Sequence, residues 1–181
     1  MDAESGDFAN TLSKALPAGG TAATRGQAEG RAAAAIGANN WTAAATALEA
    51  RLGQGDANAG LWLRLAQAEL QRDPPNPRRA LDAAWQAYGN AGDAPGKAAA
   101  MVVAGQALLA QNRLAQAGQA FGQAVALVPD NAGYKQMMER ANQAAGLTVT
   151  RVRTEVDADP PGACIVFNLP PSRRNDFHPQ D

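Results

Sequence analysis

Residues 98–131, AAAMVVAGQALLAQNRLAQAGQAFGQAVALVPDN, constrain the fold more than any other stretch of this chain. The small Gly105 and the apolar Leu108 mark one helical face, Ala117, Phe121 and Ala124 mark a second, and Pro129 closes it. Small side chains let the two helices of a pair approach closely, and one bulky residue fills the gap to the next pair. Proline ends the second helix because it lacks an N–H and its ring collides with the preceding turn. Two earlier stretches carry the same order. One begins near Ala59, with Trp62, Leu65 and Ala66 followed by Ala80, Ala84 and Ala87. Within it RDPPNP lengthens the inner turn and GNAGDAPG lengthens the exit. The other begins near Arg25, with Ala32 followed by Ala44 and Leu48. The starts are 59 − 25 = 34 and 98 − 59 = 39 residues apart. Residues 132–145, with Tyr134, Met137, Met138 and Ala141, read as a helix that covers the last unit.

At Gly105, Leu108, Ala117, Phe121, Ala124 and Pro129 the unit resembles the tetratricopeptide repeat, and 34 residues is that family's period. A generic alanine-rich bundle is the alternative. The expected fold class is mainly α: tetratricopeptide-like helical hairpin repeats followed by a short β-hairpin, the start of an incomplete β-sandwich domain. Residues 1–20 are expected to form an N-terminal helix and linker, residues 21–145 the repeats, and residues 146–181 the hairpin with a polar tail. In the first segment Phe8, Leu12 and Leu16 share a face at four-residue spacing before Pro17, Gly19 and Gly20.

The texture changes at Gly146. LTVTRVRTEVD and ACIVFNL are rich in β-branched residues and read as strands joined by the turn DADPPG. Two strands alone are marginal in water, so they either dock on the helices or open a larger β-domain; the second is favoured. RVRTEVDADPPGACIVFNLPPSRRNDF resembles the start of the first macroglobulin domain of bacterial alpha-2-macroglobulin-like proteins, at Val152, Val156, Asp157, Cys164, Phe167, Pro170, Asp176 and Phe177. Asn168, Leu169 and Pro171 depart from the family pattern. The resemblance implies a large periplasmic protease inhibitor whose bait region and thioester lie outside these 181 residues. Cys164 lacks the Cys-Gly-Glu-Gln context of a thioester.

No constellation for catalysis stands out, and an enzyme is not expected. His178 is the lone histidine and sits in the polar tail, while Cys164, flanked by Ile165, Val166 and Phe167, is expected to be a buried thiol. No HExxH, CxxC, EF-hand or P-loop spacing occurs, so no cofactor and no metal is expected. Gly118 and Gly122 read as packing glycines, Asp157 and Asp159 as turn formers, and Arg151, Arg153, Arg173 and Arg174 as solvated. With 16 basic and 17 acidic residues no nucleic-acid surface is implied. No apolar run reaches the roughly 18 residues that span a bilayer, so no membrane insertion is expected. The first residues carry no apolar run of signal-peptide type. The expected compartment is the periplasm if the macroglobulin resemblance holds, and otherwise the cytoplasm.

In a tetratricopeptide array the first helix of each pair lines a concave groove. By register those positions are Leu63, Gln67, Leu70 and Gln71 in the second unit, and Val102, Gln106 and Leu109 in the third. They make an apolar surface with amide donors and acceptors, without the lysine and asparagine cluster that clamps a peptide carboxylate. The expected partner is a protein or peptide segment, the chain's own N-terminal helix, or a downstream β-domain; packing against neighbouring helices is the bland alternative. The function this points to is a non-catalytic interaction or scaffold module, with a free-standing tetratricopeptide adaptor as the alternative.

Overall fold

The structure, a computed structural model, describes residues 21–54, 58–147, 149–155 and 162–167. Among them seven helices follow one another: α1 (Ala22–Gly37), α2 (Trp41–Leu52), α3 (Ala59–Gln71), α4 (Pro77–Asn90), α5 (Ala94–Ala110), α6 (Leu114–Leu127) and α7 (Ala132–Ala145). Two strands, β1 (Val149–Glu155) and β2 (Gly162–Phe167), pair antiparallel. Each helix packs on its neighbours in sequence, and α3 also reaches α5. That nearest-neighbour pattern is the quasi-one-dimensional packing of repeat arrays. The pairs are α1–α2, α3–α4 and α5–α6, with α7 covering the last. The helix expected within residues 1–20, His178, the DADPPG turn and residues 168–181 lie outside the described residues.

The period differs from the sequence expectation. First helices begin at 22, 59 and 94, so the spacings are 59 − 22 = 37 and 94 − 59 = 35 residues. The third unit starts four residues before Ala98 because Pro95 does not delay the helix. It stands in the first turn of α5, where its missing N–H would have no partner anyway. The Asp93 carboxylate caps that turn, accepting from the Gly96 N–H at 2.9 Å. The first unit likewise starts earlier than Arg25, on Thr21.

Six of the seven helices carry a side-chain N-cap, at Thr21, Asn40, Asn58, Asn76, Asp93 and Asn131. Each oxygen accepts one of the N–H groups that a helix start leaves without an internal partner. Asn131 accepts from the Tyr134 N–H at 3.1 Å and so fixes the start of the covering helix α7. Asn131→Ala is expected to lower stability by about 1 kcal/mol. Hydrogen exchange should quicken first in the opening turn of α7, with α1–α4 unchanged.

Two of the hairpin turns are the same object. Asn39 and Asn112 stand in the left-handed region, at φ 54° and 58°. In the first turn the Asn40 N–H reaches back to the Ala35 carbonyl at 2.8 Å, and in the third the Arg113 N–H reaches Leu108 at 2.9 Å. Both are Schellman closures with asparagine in the place glycine usually takes, since its short polar side chain tolerates positive φ. The middle pair lacks this turn and uses RDPPNP instead.

Alanine dominates the core, and the helices nest through it. One cluster joins Ala32, Ala44, Leu48, Trp62, Leu65 and Ala84 to one face of α5, at Ala100, Val103 and Ala104. A second joins the other face of α5, at Ala98, Met101 and Leu108, to Ala117, Phe121, Ala124 and Ala141. α5 is therefore the central helix, which explains why it is apolar all round. The packing is tight where glycine allows it. A Cβ on Gly105 would meet the Phe121 ring at 2.5 Å, and one on Gly118 would meet Asn142 of α7 at 2.2 Å.

The hairpin has a register shift between Val149 and Arg151. Val149 opposes Phe167 and Val152 opposes Ile165, so the extra residue, Thr150, turns Val149 onto the same face as Val152. One face thus carries Val149, Val152, Ile165 and Phe167, and the other carries Arg151, Arg153, Cys164 and Val166. Val149, Val152 and Ile165 are each at least half exposed, at 54, 59 and 50%. Cys164 is exposed as well, against the expectation of a buried thiol. Its apolar neighbours on β2 are themselves largely uncovered, so they do not shield it.

Candidate segment-binding groove

α3 packs on α5, and α5 faces α7 across an open cavity; this is the side on which the sequence placed a concave groove. The sequence-picked positions divide on it. Gln67 and Gln71 on α3, and Gln106 and Leu109 on α5, are exposed. Leu63 and Leu70 are half-buried and pack on the first core cluster. Val102 does not line the groove: only 9% exposed, it packs in the second cluster with Met101 and Phe121. Because α5 is wrapped on two sides, its apolar pattern has no outward stripe from which register could be read.

Gln106 and Leu109 do come together with α7. Across from them stand Met137, Arg140, Ala141 and Ala144, and the edge of Phe121 forms the floor, enclosing about 320 Å³. Sequence register found the α5 side of this cavity and missed the α7 side, because residues 132–145 were read only as a cover. The signal was present: Met137, Ala141 and Ala144 recur at helical spacing, and only Ala141 is fully buried. Chemically the cavity offers an apolar wall, one amide and one guanidinium. That set can hold an apolar side chain and bond the backbone or an acid beside it.

On the opposite side, Trp85 of α4 and Gln116, Gln119 and Gln123 of α6 border a smaller cleft of about 190 Å³. Trp85 is 37% exposed and stands edge-on to Tyr88 at 6.1 Å.

The orientation of α3 is fixed by charges that sequence reading passed over. Glu69 is fully buried, 3.3 Å from Arg72 and 3.9 Å from Arg79. Arg79 also pairs with Glu49 of α2. The Asn76 N–H donates to the Glu69 main-chain carbonyl at 2.8 Å, so the RDPPNP turn closes on the last turn of α3, which carries the buried carboxylate. α2, α3 and α4 are thereby locked where the regular turn is missing. Burial pushes the Glu49 carboxyl above its ordinary value of 4.5, and Arg79 only partly offsets this. A raised carboxyl pKa in the folded state contributes stability that is present below 4.5 and lost as pH rises through the raised value. Glu49→Gln is therefore expected to match the parent near pH 4 and to exceed it modestly near pH 7. Urea midpoints at the two pH values check this; a less stable variant at pH 7 would mean that the Arg79 pair outweighs burial.

Among the described residues no group of histidine, cysteine and acidic side chains could hold a metal ion. No described helix is long and apolar enough to cross a membrane. No family model matches the chain, and no curated protein matches it. Among solved structures it is similar to the Arabidopsis OM64 TPR domain, with a TM-score of 0.57 and 20% identity, over 66% of this chain and 94% of that one. The chain is a mainly α protein with a tetratricopeptide-like helical domain and a two-stranded hairpin.

Proposed function

We propose that this chain is a non-catalytic interaction module whose concave face, between α5 and α7, holds a segment of protein. The cavity lined by Leu109, Met137 and Ala144 carries this reading, because apolar surface is left open there beside Gln106 and Arg140. A fold that resembles tetratricopeptide domains supports it. The test is a photo-crosslinker at position 106 compared with one at 119, on the opposite side. Capture at 106 that Leu109→Glu abolishes, with none at 119, supports the reading; equal yields at both positions contradict it.

The hairpin belongs to the same proposal. Its apolar face is uncovered, as expected for strands that open a larger sheet. The similarity of residues 151–177 to the start of a macroglobulin domain makes a helical scaffold ahead of a protease-inhibitor β-domain, in the periplasm, the reading we adopt. A free-standing adaptor with an appended hairpin is the alternative. In-frame strands of macroglobulin type after Asp181 would support the first reading, and a stop codon there would sink it.

A further inference from the structure

We propose that the cleft between α4 and α6 binds carbohydrate, seating one neutral pyranose ring between Trp85 and the amides of Gln119 and Gln123. It is separate from the α5–α7 cavity and does not depend on what that cavity holds. α4 and α6 both pack on α5 and scarcely touch each other, so a gap runs between them with Met101 and Leu108 of α5 as its floor. Leu81 and Trp85 form the α4 wall, and Gln116, Gln119 and Gln123 form the α6 wall. Spacings of three and four residues put the three amides on one face of α6. At one end the Gln111 side-chain N–H donates to the Pro77 carbonyl at 3.1 Å, tying the start of α4 to the turn before α6.

Trp85 and Leu109 are the two large apolar side chains left exposed on the described helices, and each stands in a different cavity. Ala83, Ala84 and Ala87 supply the buried face of α4, so helix packing does not call for an indole at position 85. The cavity around Leu109 is apolar with one amide and one guanidinium, which suits a protein side chain. Here three amides face an indole, a row that an apolar side chain would leave unused.

Charge narrows the ligand further. Among the described lining residues there is no acid, and the one cation, Arg113, is exposed with its Nε donating to the Gln116 carbonyl at 2.6 Å. A charged ligand therefore finds no buried counter-charge. A neutral sugar ring finds a match on both walls. Its flat side presents polarised C–H groups, which the negative face of an aromatic ring attracts. Its hydroxyls donate and accept, as each side-chain amide does. The amides of Gln119 and Gln123 hold no hydrogen bond to another described residue. The volume, about 190 Å³, is below the roughly 300–1,000 Å³ that takes a drug-sized ligand, and suits a single ring.

One ring in an open cleft should bind with a Kd of roughly 1–10 mM. The full chain is titrated with methyl glucoside, methyl galactoside and N-acetylglucosamine, and with maltohexaose and chitohexaose as chains. NMR follows the Trp85 indole N–H and the glutamine side-chain amides. The expected result is saturable shifts of the Trp85, Gln119 and Gln123 signals with at least one of these sugars. Trp85→Ala and the double variant Gln119→Ala/Gln123→Ala should each weaken binding about tenfold. The double variant changes only exposed helix positions, so it decides the matter even if Trp85→Ala perturbs the array. Gln136→Ala, which removes an exposed amide of α7, should leave binding unchanged. A hexasaccharide that binds much tighter than its single sugar would assign the site to a glycan chain, and equal affinities to a free sugar or chain end. No saturable shift with any of these sugars, or the same shifts with glycerol, would overturn the proposal. So would protein capture at position 119 that the sugars fail to compete away, which would assign the cleft to a peptide.

Discussion

Phe121→Ala is expected to cost about 3–5 kcal/mol, the largest single effect in the molecule. The ring is 1% exposed and is among the largest fully buried side chains. It lies against Gly105 of its own pair and on the floor of the cavity shared with α7, so its loss opens two interfaces together. Ala117, Ala124 and Ala141 of its cluster are too short to close the gap, which leaves Met101, Leu108 and Met137 as the side chains that can relax toward it. Chemical denaturation checks the size. Gly105→Ala attacks the same contact from the other side, driving a methyl into the ring at a cost of about 1–3 kcal/mol. In the double variant Gly105→Ala/Phe121→Ala the new methyl enters space already vacated. The two costs should therefore fall short of additive, which a double-mutant cycle measures.

Glu69→Ala is expected to lose about 3 kcal/mol, although glutamate in a helix ordinarily reads as a surface residue. Its removal leaves Arg72 facing Arg79 across a buried space, with only Glu49 remaining as a counter-charge. Arg72 already holds a buried Nε without a hydrogen-bond partner, so it has little capacity to re-pair without moving. Because Glu69 is shielded from solvent, the loss should change little between low and high salt, unlike that of an exposed pair. Thermal unfolding at two ionic strengths checks both statements; a cost under about 0.5 kcal/mol would place Glu69 in the class of exposed pairs.

What could be read from the sequence follows from where the signal is local. The stripe of Ala80, Ala84 and Ala87, and the residues Gly105, Ala117, Phe121 and Ala124, mark the seams because small residues at helical spacing have few other uses. The asparagine and aspartate caps stand beside the helices they start. What failed depends on partners distant in sequence. Glu69 meets Arg79 and Glu49, which are 10 and 20 positions away, only because RDPPNP folds α4 back over α3. Val102 sits on a helix covered from both sides, so its apolar neighbours carry no directional information. The α7 wall of the cavity was legible as a helix but not as a surface, since covering and lining use the same residue types. On the hairpin one backbone irregularity at Thr150 decides which side chains share a face, and no residue there announces it. The same irregularity gathers the apolar side chains opposite Arg151, Arg153 and Cys164.

The groove, its floor and the order of the helices all require Phe121 to lie on Gly105. Proton NMR tests this directly, because an aromatic ring stacked on a glycine shifts that residue's Hα signals strongly upfield. The expected result is a pair of upfield-shifted Gly105 Hα resonances with cross-peaks to the Phe121 ring, both returning to ordinary positions in Phe121→Leu. Gly105 signals at random-coil positions in the parent, without cross-peaks to the Phe121 ring, would contradict the architecture.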